Sequence, residues 1–208
     1  MSTKIPLQAM HRLPQYLQYL KSLPKEGYIS ATAIAEACGL NDVVVRKDLA
    51  AVSRGGKPKL GYVTETLTRD LEQFLGYTDV NDAVLVGAGN LGRALLSYSG
   101  FQNYGLNIVA GFDTDPRLIG TEIHRKKIFP LSEMKHICAR IQIHIGIITV
   151  PASQAQSVCN QLIDCGITAL WNFAPVYLKV PDHILLQNEN MATSLALLSR
   201  RLSEKIQE

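Results

Sequence analysis

The chain has 208 residues, of which 47% are hydrophobic and 19% charged, as is typical of a soluble globular protein with one large or two smaller domains. Its net charge of +3 is uneven: residues 1–62 carry nine Lys and Arg against four Asp and Glu, and residues 63–208 carry twelve against fourteen. The N-terminal end is therefore the part expected to meet a polyanion. No stretch approaches the roughly 20 apolar residues of a membrane span, no signal peptide is recognisable, and the cysteines lack metal-ligand spacing. We expect a cytoplasmic protein that binds no membrane and no metal.

Residues 1–76 are predicted to form a small, mainly helical domain. Apolar residues at helical spacing predict a first helix over residues 13–23, in which Pro14 is tolerated only near the first turn. Leucines at the same period predict a further helix at residues 63–75.

Between these helices lies a helix-turn-helix pattern. Its first helix is predicted at residues 31–38 and ends at Gly39, a residue that suits the left-handed conformation. Asn41 or Asp42 caps the second helix, which runs to about Val52. Two short helices joined by such a turn are typical of DNA-binding domains.

The second helix of this pattern is the candidate recognition helix, and the Gly-rich basic segment 53–62 suits a β-hairpin, the wing of a winged helix. Val45 and Leu49 are predicted to pack inward. Arg46 either reads a guanine edge or binds phosphate, and Lys47 binds phosphate. The alternative is a solvated basic helix, and the cations of the wing favour DNA binding over it. The predicted DNA contacts are Asn41, Asp42, Val44, Arg46 and Lys47 in the helix and Arg54, Lys57 and Lys59 in the wing.

From residue 82 onward, short apolar strands alternate with helices. This alternation predicts a Rossmann-like α/β domain over residues 82–188, with a mainly parallel, doubly wound sheet. The turn-rich segment 76–81 is the predicted domain boundary. Strands are predicted at residues 83–86, 107–112, 142–150, 168–173, 177–180 and 184–187, and helices at residues 91–98, 132–139 and 151–165.

A G-x-G-x-x-G motif directly follows the first predicted strand of this domain and opens a helix. In that context Gly87 permits a tight turn, Gly89 lets the backbone approach a pyrophosphate, and Gly92 lets helix and strand pack closely. The alternative is a Gly-rich turn with only a structural role. The predicted cofactor contacts of this segment are Gly87, Ala88, Gly89, Asn90, Leu91 and Gly92.

Three further segments lie at predicted strand ends, where open α/β sheets bind ligands. Asp113 is placed to accept hydrogen bonds from the adenosine ribose hydroxyls and would repel a 2′-phosphate, which favours NAD(H) over NADP(H). Its alternative role is that of a turn residue. The segments after the next two strands could wall the nicotinamide half of the cofactor or merely end the strands. Their predicted cofactor contacts are Thr149, Val150 and Pro151, and Asn172, Phe173, Ala174 and Pro175.

A final helix is predicted at residues 191–206, with Leu195, Leu198 and Leu202 on one apolar stripe. Segments along nearly the whole chain closely resemble the Rex family of bacterial redox-sensing repressors. This resemblance implies a homodimer that binds double-stranded operator DNA when NADH is low relative to NAD⁺ and releases it when NADH binds. It also implies that the final helix is domain-swapped into the partner subunit. The matching segments are residues 12–17, 45–49, 61–62, 86–95, 98–101, 112–116, 150–152, 172–176 and 179–181.

Two positions depart from the family pattern. Residues 50–59 replace the family's usual segment before the wing, although the replacement is still basic. Some members also link an Arg, a Tyr and an Asp in a redox-dependent polar network. Tyr98 corresponds to that Tyr and is the candidate switch residue, whereas Gln18 and Met191 occupy the other two positions.

Two other functions compete with the repressor. One is a small NAD-dependent oxidoreductase, but no Tyr is followed by Lys four residues later, and the histidines suggest no acid/base pair. The other is a CoA- or nucleotide-binding module, which would leave the basic helix-turn-helix unexplained. We therefore predict no catalytic residue.

Overall fold

A computed structural model describes residues 5–206, which divide into two compact units between Asp79 and Val80. This division falls inside the segment predicted as the domain boundary. The first unit is mainly helical, with one small antiparallel pair of strands. Its elements are α1 (Leu7–Lys21), β1 (Tyr28–Ile29), α2 (Ala31–Cys38), α3 (Asp42–Val52), β2 (Tyr62–Val63) and α4 (Thr64–Phe74).

The core of the first unit forms where α1 packs against the helices that follow it. Leu13, Leu17 and Leu20 of α1 are each at most 2% exposed and contact Leu67 and other apolar residues of the same cluster. Helical spacing of these leucines is what the sequence predicted, and it directs one face of α1 inward.

The position of Pro14 within α1 was predicted wrongly. The helix begins at Leu7, six residues before the predicted start, so Pro14 lies in its middle rather than its first turn. Pro14 cannot donate the hydrogen bond that the carbonyl group of Met10 would receive. Met10 is one of the exposed residues of α1, so the turn that lacks this bond lies on the solvent side of the helix.

A buried carboxylate joins α1 to α3. Asp48 accepts hydrogen bonds from Arg12 Nε at 2.8 Å, Arg12 Nη2 at 3.0 Å and the Tyr16 hydroxyl at 2.9 Å. Burial and the hydrogen bond to Asp48 raise the pKa of Tyr16 to about 12. The stability that the protonated Tyr16 hydroxyl contributes to the folded state is therefore complete below about pH 10 and is lost as the pH rises toward 12. The forked Arg12 contact fixes the rotation of α3 about its axis.

We expect the Asp48→Ala substitution to destabilise the first unit by about 3 kcal/mol, because it leaves Arg12 and the buried Tyr16 hydroxyl without their partner. Urea denaturation followed by circular dichroism measures this loss. Asp164→Ala, at an exposed position of the second unit, is the control. Unchanged stability of the Asp48 variant would show that the network does not hold α3.

The second unit contains, within residues 80–206, a seven-stranded sheet with helices on both faces. Its elements are β3 (Asn81–Val86), α5 (Asn90–Ser97), β4 (Leu106–Asp113), β5 (Glu122–Ile123), β6 (Lys126–Pro130), α6 (Met134–Ile141), β7 (Ile145–Ile148), α7 (Ala152–Asp164), β8 (Ala169–Asn172), β9 (Leu185–Asn188) and α8 (Met191–Ile206).

The strand order is β5-β6-β4-β3-β7-β8-β9. All neighbouring strands are parallel except β5 and β6. Helices α6 and α7 pack on one face and α5 on the other.

The predicted mainly parallel, doubly wound sheet is confirmed, but its edges were predicted wrongly. The segment 177–180 is not a strand, because the side chain of Gln156 bonds both backbone groups of Lys179, with its Oε1 accepting at 2.8 Å and its Nε2 donating at 2.9 Å. The strand of residues 126–130, parallel to β4, was missed. The strand predicted at residues 142–150 is shorter, since Gln142 has φ of 49°.

The parallel arrangement brings four predicted site segments to one edge of the sheet. Four neighbouring strands of the sheet end at this edge: β4 at Asp113, β3 at Val86, β7 at Ile148 and β8 at Asn172. Residues that follow them in the chain therefore share the edge where open α/β sheets bind ligands.

Helix α8 presents its apolar stripe to solvent. Leu195, Leu198 and Leu202 are each more than half exposed. Within residues 5–206, no helix combines the length and apolar character needed to cross a bilayer.

Candidate dinucleotide site and DNA interface

The glycine motif lies between β3 and α5. Gly87 has φ of 102°, and a Cβ atom there would approach the Thr149 backbone at 2.9 Å. A Cβ atom on Gly92 would clash with the Gly87 carbonyl oxygen. By contrast, no heavy atom lies within 4 Å of the Cβ position of Gly89, the residue before the first turn of α5. The loop thus leaves the N-terminus of α5 open, and such a terminus attracts anionic groups.

We expect Gly92→Ala to destabilise the second unit by at least about 2 kcal/mol, because overpacking against a backbone carbonyl cannot be relieved by a side-chain rotation. Gly89→Ala, which meets open space at φ of −68°, is the matched variant and should leave stability unchanged. Thermal denaturation of both proteins compares them. Equal stability of the two variants would contradict the described packing of this loop.

The carboxylate of Asp113 shapes both loops that border the site. Its Oδ2 accepts the Ala88 N–H at 2.6 Å, and its Oδ1 accepts the N–H groups of Thr114 at 2.7 Å and Asp115 at 2.8 Å. A carboxylate offers about four acceptor positions, so one position remains on Oδ2. Asp113 therefore performs the turn role that the sequence left as its alternative, and it keeps one acceptor for a ligand.

A second polar side chain holds the glycine loop from the opposite side. The Thr149 hydroxyl, after β7, lies 2.7 Å from the Gly87 carbonyl oxygen and 3.0 Å from that of Val86. The loop is thus bonded both to the end of β4 and to the end of β7, so its backbone is positioned before any ligand binds.

A cavity of about 250 Å³ lies over these strand ends. It brings together the predicted residues Gly87, Gly89, Asp113, Thr149, Val150 and Pro151. Sequence reasoning missed its apolar wall, because Leu118 lies in a turn and Leu131 begins a short 3₁₀ turn, and neither segment carries the period of an α-helix or a strand. The remaining lining residues are Val86, Thr114, Asp115, Leu118, Leu131, Gln154 and Val158.

Other predicted contacts lie outside this cavity and support its walls. Ala88 and Gly92 are buried, Leu91 is half-buried and Asn90 is exposed at the start of α5. None of these four lines the cavity in the described chain. They shape the loop and the helix behind it.

Asn172 fixes the loop that follows β8. Its side chain is buried, accepts the Ala174 N–H at 3.0 Å, and donates to the carbonyl oxygen of Val176 at 3.0 Å and to Asn188 Oδ1 at 2.9 Å. The amide groups of Asn172 thus form hydrogen bonds within the protein, and its predicted contact with a cofactor stays a prediction. Phe173, Ala174 and Pro175 follow it at the same sheet edge and lie outside the cavity lining.

Tyr98, the candidate switch residue, lies at the end of α5 and is half exposed. It begins a row of aromatic rings with centroid separations of 4.9 Å to Phe101, 5.7 Å from Phe101 to Trp171, and 4.7 Å from Trp171 to Phe173. Of its two predicted counterparts, Gln18 is an exposed residue of α1. Met191 begins α8, and its side chain is outside what the structure describes.

The helix-turn-helix is capped as its sequence requires. Gly39 adopts the left-handed conformation with φ of 65°, and the Asn41 side chain accepts the Val43 N–H at 2.9 Å. Asn41 is thus the cap of α3, and Asp42 is the first residue of its first turn. Val45 and Leu49 are fully buried, as predicted from their spacing.

The predicted DNA contacts of α3 lie on its exposed side. Arg46 and Lys47 are exposed, and Arg46 Nη2 forms an ion pair with Asp42 Oδ2 at 2.8 Å. Val44 is partly exposed, whereas Val43, which the sequence interpretation did not include, is 65% exposed. A helical wheel with the buried positions fixed would have found it.

The wing, where the sequence favours a small β-hairpin, is a tight turn closed by two hydrogen bonds between the backbones of Lys57 and Gly61. It contains a single bridge between Lys57 and Gly61, with Lys59 in the left-handed conformation. The strand that follows it pairs instead with β1, which the sequence interpretation missed. A crevice of about 480 Å³ brings Arg46, Lys57 and Lys59 together beside the first turn of α2. Arg54 is exposed elsewhere in the wing.

The sequences of related proteins align with almost the whole chain. A protein of Porphyromonas gingivalis and another of Treponema denticola are each 40% identical to it, over 97% of this chain and 94% and 98% of their own. Both are named redox-sensing transcriptional repressor Rex, as is a Bacteroides fragilis protein at 38% identity over 97% of this chain. The chain belongs to the Rex family.

Solved Rex structures agree with this assignment. The Rex-family repressor RSP, in a complex with β-NAD⁺ and operator DNA, superposes with a TM-score of 0.91 at 35% identity, over 98% of this chain and 94% of that one. Its complex with β-NADH gives a TM-score of 0.89 over 98% and 96%. Residues 78–176 match the family described as CoA binding domain, and residues 4–50 match "Putative DNA-binding protein N-terminus".

Proposed function

We propose that this chain is a redox-sensing repressor that binds operator DNA through its first unit and NADH or NAD⁺ through its second. The observation that carries the proposal is the open loop at Gly89, which Asp113 holds beside the cavity at the strand ends. The same chain also exposes the cations of α3 and of the wing. The solved relatives with NADH, and with NAD⁺ and operator DNA, support the same pair of ligands.

The site favours a dinucleotide without a 2′-phosphate. The free acceptor position of Asp113 Oδ2 takes one ribose hydroxyl, and the carboxylate charge repels a phosphate at that place. Arg117, four residues after Asp113 in the chain, is the nearby cation that a 2′-phosphate would need, but it is already paired with Asp115 at 2.7 Å. Their hydrogen bonds lower the pKa of Asp115 to about 2. Leu118 and Leu131 supply an apolar wall for the adenine ring.

Redox sensing requires that NADH and NAD⁺ bind the two functional states of the protein with different affinity. We place the nicotinamide ring near Phe173, at the end of β8. An aromatic, apolar surface there favours the neutral reduced ring, because desolvation of the charged oxidised ring is costly. Tyr98 remains the candidate switch residue, because the row of aromatic rings that begins at Phe173 ends at Tyr98.

A homodimer accounts for the exposed leucines of α8. Leu195, Leu198 and Leu202 form an apolar stripe that suits burial in a partner subunit, in line with the domain swap that the family implies. Two copies of α3 then reach two half-sites of the operator.

We assign no catalytic activity to the second unit. The named relatives of the chain are transcriptional repressors, and the sequence suggests no acid/base pair for hydride transfer. The described residues also contain no group of three or more His, Cys, Asp or Glu arranged for a metal ion. Burial raises the pKa of the Cys138 thiol to about 11, so this cysteine is a poor nucleophile.

Substitutions at the two sites should separate the two functions. Gly89→Ala is expected to weaken NADH binding at least about tenfold, since its methyl group occupies the space of a pyrophosphate. Arg46→Ala should abolish specific DNA binding while leaving NADH affinity intact. Asp113→Ala also weakens NADH binding but removes three backbone hydrogen bonds, so Gly89→Ala is the cleaner variant. Fluorescence titration with NADH and electrophoretic mobility shift measure the two activities.

The control is Arg140→Ala, which removes an exposed cation at the end of α6. It should change neither activity. Loss of both activities in either site variant would contradict the assignment of one ligand to each unit.

A further inference from the structure

One apolar side chain lies at the centre of the outward-facing side of α3. Val45, Asp48 and Leu49 point into the core of the first unit. At about 100° per residue, the direction opposite to these three is that of Val43. The Val43 side chain is 65% exposed, so its methyl groups have no core to fill.

The residues that share this row with Val43 make it accessible to a base edge. Lys47 and Ala50, four and seven residues later, are both exposed on the same row. On this row Lys47 is the long, flexible side chain, and Val43 and Ala50 are short.

The surroundings of Val43 favour DNA over an apolar protein partner. Arg46 and Lys47 flank it, and Lys57 and Lys59 face Arg46 across the crevice of the wing. The acidic neighbour, Asp42, is paired with Arg46 at 2.8 Å. An apolar side chain with cations beside it is complementary to a DNA groove, because phosphates line both edges of the groove.

The chemistry of the side chain selects the base. Val43 is the second residue of α3, and residues near the start of a recognition helix are those that reach base edges. In the major groove the thymine C5 methyl is the apolar group that base edges present. Against another edge, valine would cover donors and acceptors without bonding to them.

We propose that Val43 reads a thymine methyl group in the DNA site, which makes it a specificity-determining residue. This assignment rests on the proposed function of α3 as the recognition helix. It predicts that the DNA sequence bound by the protein has a thymine next to the base or phosphate that Arg46 and Lys47 contact.

The test begins with duplexes that the full-length protein selects from a random-sequence pool. Deoxyuridine then replaces each selected thymine in turn, which removes the methyl group and leaves the base pair intact. At one position per half-site we expect affinity to fall about fourfold, which corresponds to about 0.8 kcal/mol for one buried carbon group. Val43→Ala should bind the thymine duplex with the same loss and show no further loss with deoxyuridine.

Val80→Ala, at an exposed valine outside α3, is the matched control and should keep the full response to deoxyuridine. In a second selection, Val43→Gln should choose adenine at the sensitive position, because Gln bonds adenine through two hydrogen bonds. Deoxyuridine that weakens binding nowhere, or equally in the wild-type and Val43→Ala proteins, overturns the assignment, as does a Val43→Gln variant that still selects thymine. A wild-type protein that selects no sequence at all contradicts the proposed function itself and, with it, this assignment.

Discussion

The hydrogen bond from the Ala88 N–H to the Asp113 carboxylate is the interaction on which the second unit's site depends. It ties the glycine loop after β3 to the end of β4, the strand beside it. Thr149 ties the same loop to the end of β7 from the other side. These two bonds fix the backbone of the loop, and the Cβ position of Gly89, beside the N-terminus of α5, is open.

A carboxylate has the corresponding role in the first unit. Asp48 lies on the inner side of α3 and is held by Arg12 and Tyr16 of α1. Because the carboxylate of Asp48 is turned inward, Val43, Arg46 and Lys47 occupy the outer side of α3, where Asp42 is paired with Arg46. In each unit a carboxylate thus sets the orientation of an element that we propose meets an anionic ligand.

Much of this organisation could be predicted from the sequence, because it depends on local rules. The glycine motif, the caps of the helix-turn-helix and the inward positions of Val45 and Leu49 all follow from backbone conformation or helical period. Other features depend on contacts that the local pattern does not reveal. Gln156 satisfies the backbone groups of Lys179, 23 residues later, and thereby prevents a strand at residues 177–180. The apolar wall at Leu118 and Leu131 was missed because a turn and a short 3₁₀ turn carry no period, and only the folded sheet brings the two leucines to the cavity.

The central claim is that the reduced dinucleotide, and not the oxidised one, releases DNA from this protein. Its most direct test is a titration of the complex with its selected duplex, using NADH and NAD⁺ separately at fixed salt, with DNA release followed by fluorescence anisotropy. We predict that NADH lowers the affinity for DNA by at least about tenfold at concentrations where NAD⁺ has little effect. Equal release by the two forms, or release by neither, would contradict it.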